Sequence, residues 1–462
     1  MLPLVNASLL GLKPHLPRFD DVERLVNRTN KTKGDGKPLG LLSLEYENML
    51  ACVRCGQCLT SCPTYVLTGR EAFGPRGRIA LARALVEGHT TVSADLIASE
   101  ESCLVCEACT AVCPAGVQMQ SLQVRVREAI EPMVERSLSE RLKRHIAFHY
   151  VLGHLTILRL VVWFLWVYQA TGLQHALRKI GLLRVLGIAD AESYLPRVSR
   201  RFVVPRGQVL PAETKTSASP KPTRVAFFAG CVMSTALASI DEATLRVLRR
   251  AGCEVSLTKG QVCCGALQSH NGDLKSFQVL AMQNVAAFER DGEGPIVVNS
   301  AGCGAMLKHY AHELAHDPEW AERAKVFSAR IQDITEVLVD RELPMRRSLD
   351  LTATYQDPCH LAHAQRIRQQ PRQLLKAVPG LKLREMADST LCCGSAGIYN
   401  LTNPKEARQL QDRKLDNATV TGARVLVTAN PGCLLHLRSG LARRRSDIEV
   451  KHIVEILDEA SQ

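Results

Sequence analysis

Aromatic residues make up only 5% of the 462-residue chain, and three of them are tryptophan. With few rings to stack on bases, and with no helix-turn-helix or RNA-binding signature, the net charge of +12 does not mark a nucleic-acid binder. No G-x-G-x-x-G follows a predicted strand, so no flavin or nicotinamide site of the dinucleotide type is expected in this chain. The opening residues, MLPLVNASLLGLKPHLPRFD, lack a basic segment followed by a long apolar core. The expectation is therefore a cytoplasmic protein whose thiols stay reduced. A bilayer-spanning run is missing too. The most apolar stretch, HYVLGHLTILRLVVWFLWVYQATGL (149–173), is broken by His154 and Arg159. Only about eleven residues from Leu160 run uncharged, against the roughly 20 that a span needs.

What the chain has is cysteine, 17 in all. A chain of this length, 46% hydrophobic, builds its cores without disulfide staples. Regular short spacings in such a chain read as metal or redox chemistry. Eight cysteines form two runs: CVRCGQCLTSCP, with Cys52, Cys55, Cys58 and Cys62, and CLVCEACTAVCP, with Cys103, Cys106, Cys109 and Cys113. Both are C-x2-C-x2-C-x3-C-P, the bacterial ferredoxin pattern, in which three thiolates hold one [4Fe–4S] cube and the fourth ligates the other. The expected ligand sets are Cys52, Cys55, Cys58 and Cys113 for one cluster, and Cys103, Cys106, Cys109 and Cys62 for the second. Two triple runs exceed what zinc sites use. Between the runs, GPRGRIALARALVEG has helical periodicity and stops at Gly88. The intervening helix implies a helical ferredoxin. Arg76 and Arg78 at its start are candidates for lying near a cluster, the alternative being a solvated helix end.

The remaining cysteines repeat. Cys231, Cys263-Cys264-Gly265 and Cys303 recur as Cys359, Cys392-Cys393-Gly394 and Cys433, at offsets of 128, 129 and 130 positions. Adjacent cysteines make a poor disulfide, because their Cα atoms lie about 3.8 Å apart. The recurrence defines two homologous modules, each with four thiols able to hold a metal centre; four thiolates alone do not distinguish iron–sulfur from zinc. The glycine after each pair suits a positive φ or a close-lying cluster. Cys253 has no counterpart in the second module and reads as a buried structural residue.

RVAFFAGC, PIVVNSAGC, TATYQDPC and RVLVTANPGC each read as a buried strand running into a loop, with helical stretches between them. Alternation of strand and helix predicts a parallel sheet, with the cysteines at its carboxyl ends. The expected fold class is thus α/β with an all-α N-terminal part. The expected divisions are a lead-in (1–45), the helical ferredoxin domain (46–135), a helical connector (136–204), a linker (205–224) and two modules (225–345 and 350–462).

In this order of parts, and in ACVRCGQCLTSCPTY, GPRGRIAL, SAGCGAMLK, LCCGSAGIYNLTNPKEARQLQDRK and VTANPGC, the chain resembles the iron–sulfur subunits of glycolate oxidase (glycolate dehydrogenase). Its modules resemble the cysteine-rich CCG domains that those proteins share with heterodisulfide reductases. The resemblance implies two [4Fe–4S] clusters, further iron–sulfur clusters in the CCG modules, and FAD held only by partner subunits. Those subunits oxidise the hydroxyacid, and this chain, inactive alone, passes electrons towards a quinone acceptor at the membrane. The stretch with Ser395 and Tyr399 points to the glycolate branch. Relatives with the same layout serve lactate or glycerol-3-phosphate oxidation, and a heterodisulfide-reductase-like thiol protein is a further alternative.

The full CCG pattern ends in Cys-x-x-Cys. Here Met306 and His436 stand where the last cysteine would be; they are candidate substitute ligands, or else packing residues. Asp357, His360 and His363 beside Cys359 are candidates for passing protons or orienting a thiolate, with helix capping the alternative for Asp357. The connector, with Trp163 and Trp166 flanked by RLKRH and LRKIGLLRVLG, suits a helix lying in an anionic membrane surface or against a partner.

Overall fold

The computed structural model describes residues 40–185, 187, 189–213 and 223–462. Most of the expected lead-in and residues 214–222 of the expected linker lie outside the described residues. Among the described residues, everything before Val209 is helical or irregular. Pro75–Val86 starts with Pro at its first position, and Gly88, in a left-handed conformation (φ 77°), follows its end. Ile79, Ala82 and Leu85 form its buried stripe and meet Leu42, Met49, Leu122, Val126 and Ile130 in a small core. That core fixes Met119–Ile130 against the loops that carry the first eight cysteines. The connector is made of short helices, among them Leu138–His145 and Leu155–Ala170.

The C-terminal part contains two sheets. The first holds β1 (Val209–Leu210), β2 (Thr223–Phe228), β3 (Cys253–Ser256), β4 (Ile296–Val298) and β5 (Ile331–Asp333), in the order β1-β3-β2-β4-β5. The second holds β6 (Thr352–Tyr355), β7 (Lys382–Arg384), β8 (Val425–Thr428) and β9 (Glu449–His452), in the order β7-β6-β8-β9. All pairings are parallel except β1 with β3. Without β1 the two orders are the same. Thr223 and Thr352, Cys253 and Lys382, and Ile296 and Val425 open equivalent strands, each pair 129 positions apart. The cysteine offset is therefore shared by the first three strands of each module, whereas β9 starts only 118 positions after β5.

Two expectations are corrected here. Residues 205–224 are not simply a linker: Val209 and Leu210 pair with Ser256 and Val255, and β2 begins at Thr223. The edge of β3 leaves its backbone groups open, and a two-residue strand satisfies them although its composition reads as loop. Cys303 and Cys433 are also not in loops. They occupy the first turns of Ala301–Glu313 and Pro431–Arg444, which start within three residues of β4 and β8.

The modules share one core. Val225, Phe227 and Val297 of the first sheet and Leu426, Val427 and Ile453 of the second module belong to the same buried cluster. Each such side chain contributes roughly 1.5–3 kcal/mol by leaving water. Backbone and side-chain bonds cross the seam: Ala301 N donates to Ala429 O (3.1 Å), Gly302 N to Asn430 Oδ1 (3.0 Å) and Gln365 Nε2 to Ala301 O (3.0 Å). Arg246 and Arg250 of Ala238–Arg250 both engage Asp458 of Ile453–Ser461.

Candidate metal centres

The two cysteine runs meet around two cavities. Cys52, Cys55, Cys58 and Cys113 line one cavity, with Ile79, Val117 and Met119 as apolar walls. Cys62, Cys103 and Cys106 line a second, and Cys109 borders both. The loops carry the same backbone device at the same positions. Arg54 (φ 56°) and Gly56 (φ 84°) in the first run correspond to Val105 (φ 49°) and Glu107 (φ 59°) in the second. Alternating left-handed residues turn successive N–H groups inward, which makes a concave seat for an anion. A β-branched valine at positive φ is strained, by about 1–3 kcal/mol, and such strain gathers at sites that need the shape. Each run then ends in Pro: Cys62 caps Pro63–Thr68, and Cys113 closes Ala108–Val112.

At least four soft thiols around each cavity, apolar walls and a left-handed loop that turns N–H groups inward fit an anionic [4Fe–4S] cube. Burial pushes the Cys106 and Cys109 thiols well above their ordinary value, so they ionise only against a metal's charge. Arg78, 1% exposed, sends Nη1 to within 4.0 Å of Cys62 Sγ. It also donates to Ser99 O (2.9 Å), Thr64 Oγ1 (3.1 Å) and Ser102 Oγ (2.8 Å). Arg76 is partly exposed, pairs with Glu71 and donates to Arg54 O (3.1 Å) at the first cavity.

In each CCG module the first and third strands of the module are neighbours, and the chain leaves them in opposite directions across the sheet. This is the topological switch point, where open α/β sheets place ligands. Cys231 follows β2 and Cys303 follows β4; Cys263 and Cys264 come over from the loop after β3. The sulfurs stand in pairs, Cys231–Cys263 at 3.3 Å and Cys264–Cys303 at 3.4 Å. In the second module Cys393–Cys433 are 3.3 Å apart and Cys359–Cys392 4.0 Å. All are free thiols. Among the described residues no three His, Cys, Asp or Glu side chains close on a single ion, so the thiols do not form a ready-made one-ion tetrahedron. Four soft thiolates per site are the donor set of an iron–sulfur cluster. Hydrogen bonding with Cys231 and Cys264 holds the Cys263 thiol well below its ordinary value, and that with Cys392 and Cys433 does the same for Cys393. Gly265 (φ 77°) and Gly394 (φ 92°) both take the left-handed turn.

The candidates around these thiols divide. Asp357 caps no helix: it is gripped by Arg372 through Nη1 (2.8 Å) and Nη2 (2.7 Å). His363 Nε2 bonds Thr390 O (3.0 Å), and burial lowers its basicity. His360 bonds Val105 O (3.0 Å) and stacks on His270, so it joins the second ferredoxin loop to the second CCG site. Met306 is a packing residue, 1% exposed. His436, equally buried, stacks on Tyr194 with Nε2 3.4 Å from Ala407 O, while its Nδ1 has no partner. Cys253 is 0% exposed at the start of β3. Ser395 and Tyr399 are buried beside the second site.

Sequence reasoning missed three residues. Asn430 accepts from Gly302 N and reaches Cys433 Sγ (3.6 Å), linking the two sites. Arg127 ties Cys103 O (2.6 Å) to His270 O (2.5 Å). Lys414 is buried under the second site; its one sequence signal is a lysine one turn beyond Leu410 on an otherwise apolar stripe.

Known proteins resemble the chain along most of its length. The family model for a 4Fe-4S dicluster domain matches residues 48–117, that for a cysteine-rich CCG domain matches 225–308 and 353–438, and that for the glycolate oxidase iron–sulfur subunit linker region matches 139–195. A probable glycolate oxidase iron–sulfur subunit of Bacillus subtilis is 40% identical over 422 residues, 89% of this chain and 94% of that one. The glycolate oxidase iron–sulfur subunit of Escherichia coli is 35% identical over 430 residues, 90% and 96% of the two chains. Lactate utilization protein A of Bacillus thuringiensis is 32% identical over 240 residues, 52% of this chain and all of that one.

Proposed function

The chain belongs to the family of glycolate oxidase iron–sulfur subunits, and from that premise we propose that it carries electrons from a partner FAD subunit, where glycolate becomes glyoxylate, to a quinone-type acceptor. Iron–sulfur clusters supply one-electron steps; the protein's part is to seat them in line and keep water away. The observation that carries this reading is the packing of Cys106, from the second ferredoxin run, in one buried cluster with Cys359 and Cys392 of the second CCG module. Asn430 then connects that module to the first. The thiol sites are contiguous, as an electron path requires. The ligand sets are the two crossed ferredoxin quartets, together with Cys231, Cys263, Cys264 and Cys303, and Cys359, Cys392, Cys393 and Cys433.

The connector supports the membrane end of the path. Leu138, Leu142, Ile146, Leu160, Trp163 and Phe164 are exposed apolar side chains, whereas Trp166 packs beneath Arg200. No single described helix is long and apolar enough to cross a membrane; Leu138–Val151 and Leu155–Ala170 form a pair bent by 108°. Such a face, with Lys143 and Arg144 beside it, fits a peripheral seat on an anionic leaflet. A second reading, a lactate-oxidising complex, draws on the likeness to the lactate utilization protein over 52% of the chain.

Anaerobic purification of the native complex tests these readings together. The expected result is a FAD-containing partner, more than about eight irons per chain, and dye reduction driven by glycolate in preference to lactate. Fewer irons than that would refute the ferredoxin assignment, and lactate preference would transfer the substrate to the second reading. Flotation with anionic vesicles, lost in Trp163→Glu/Phe164→Glu, checks the membrane seat; unchanged flotation would remove it.

A further inference from the structure

The two CCG sites have the same topology but not the same charge. Lys414, on Pro404–Val420, is 1% exposed and makes no ion pair with a carboxylate among the described residues. Its ammonium donates to Ser389 O (3.0 Å) and to Asp388 O, on the loop that leads into Cys392. The nearby carboxylates are engaged elsewhere, Asp388 with Arg413 and Asp357 with Arg372. A fully buried lysine is rare unless it is paired. Burial holds its pKa below the ordinary lysine value, and the thiolates of Cys393, Cys392 and Cys433 oppose that shift by favouring its charge.

The helix explains the placement. Ala407 and Leu410 pack against the Cys392-Cys393-Gly394 turn, with Ala407 O only 2.6 Å from where a Cβ on Gly394 would fall. Lys414 is one turn further along that face, so its ammonium comes up beneath the second site. In the first module the equivalent helix, Leu274–Glu289, starts 130 positions earlier, so Asn284 stands in the place of Lys414: it is 0% exposed and uncharged, and it donates to Cys263 O (3.0 Å).

We propose that the two CCG sites are redox stations of unequal potential, the second being the higher because the fixed charge of Lys414 lies beneath it. The inference rests on both sites holding iron–sulfur clusters. Each reduction adds one electron, which the partner's reduced flavin supplies and the acceptor later removes. The negative charge added is what the ammonium attracts. The electron therefore rests at the second site, next to Cys106 of the ferredoxin domain.

The test is an EPR-monitored potentiometric titration of the holo chain, purified anaerobically, as wild type, Lys414→Met, Lys414→Gln and Lys414→Arg. Cys393→Ser identifies the signal of the second site. At that signal's wild-type midpoint, Lys414→Met and Lys414→Gln lower the reduced-to-oxidised ratio about tenfold, which is ~59 mV for a one-electron couple. Lys414→Arg keeps the wild-type ratio, and the other signals stay in place. If Lys414→Met does not fold, Lys414→Gln carries the test, because it keeps an N–H donor for the Ser389 carbonyl. A fully loaded Lys414→Gln chain with an unmoved midpoint overturns the proposal, as does an equal shift at the first site. If Cys393→Ser removes neither iron nor a signal, the cluster reading itself falls, a failure distinct from an unmoved midpoint.

Discussion

Replacing Gly394 by Ala separates what the CCG turn demands from what any left-handed glycine demands. Gly394 has φ 92°, and an added Cβ would lie 2.6 Å from Ala407 O and 3.1 Å from both Ala407 Cα and Leu410 Cβ. Two of these three neighbours are backbone atoms, so no side-chain rotation relieves them. The left-handed conformation costs a non-glycine residue roughly 1–2 kcal/mol, and forcing a methyl into a packed site costs about 1–3 kcal/mol more. The expected loss is therefore about 2–5 kcal/mol. Gly69 is the control: it has φ 64°, but a Cβ there meets nothing within 4 Å, so Gly69→Ala carries only the first term, about 1–2 kcal/mol. Urea unfolding followed by near-ultraviolet circular dichroism measures both. Iron analysis adds a second readout, since displacing the Cys392-Cys393 turn from Ala407 and Leu410 empties the second site and spares the ferredoxin clusters. Equal losses for the two variants, with iron retained, would refute the claim that contact with Pro404–Val420 shapes the CCG turn.

Two further predictions concern buried polar groups. His452 is 0% exposed, and burial pushes its pKa down to about 4 while Nε2 donates to Asn299 O (3.0 Å) and Nδ1 accepts from Val454 N (3.3 Å). Because the folded value is depressed, its contribution is complete above pH 6.5 and is lost as pH falls towards 4; His452→Asn flattens that part of the stability–pH curve, read by urea unfolding across the range. Arg78→Met removes the guanidinium that donates to Ser99 O, Thr64 Oγ1 and Ser102 Oγ beside Cys62; Ser102 Oγ still serves Ser99 O (2.7 Å), so the cost is about 1–3 kcal/mol for the lost buried donor. Iron analysis shows the second ferredoxin cluster lost first, and wild-type iron content in this variant would contradict that placement of Arg78.

Much of the site was legible because its grammar is local. Three thiols spaced by two residues can only wrap one object, and the proline after each fourth cysteine turns the chain away. The duplicated Cys-Cys-Gly, with flanks at a constant offset, announced two modules before any strand was seen. Apolar runs ending at cysteines placed the thiols at the carboxyl ends of strands. The errors came where the deciding partner is distant. Asp357 reads as a cap or a proton carrier because Arg372 is invisible as its partner until the crossover helix Gln369–Lys376 packs back beside the end of β6. Val209–Leu210 looked like linker because an edge strand needs only a neighbour with open backbone groups, not a β-rich composition.

The sequence by itself determined which cysteines act together within a run and within a module, because chain connectivity limits how far a short loop can reach. It also determined the parallel α/β character of the modules, through apolar strands alternating with amphipathic helices. Only the tertiary structure decided which sites adjoin. Cys106 and Cys359 are neighbours although more than two hundred residues separate them, and Lys414 lies beneath one CCG turn while the uncharged Asn284 fills the corresponding place in the other module. Such relations depend on how whole elements pack, and burial then turns a single lysine into a difference of charge between two sites built to one plan.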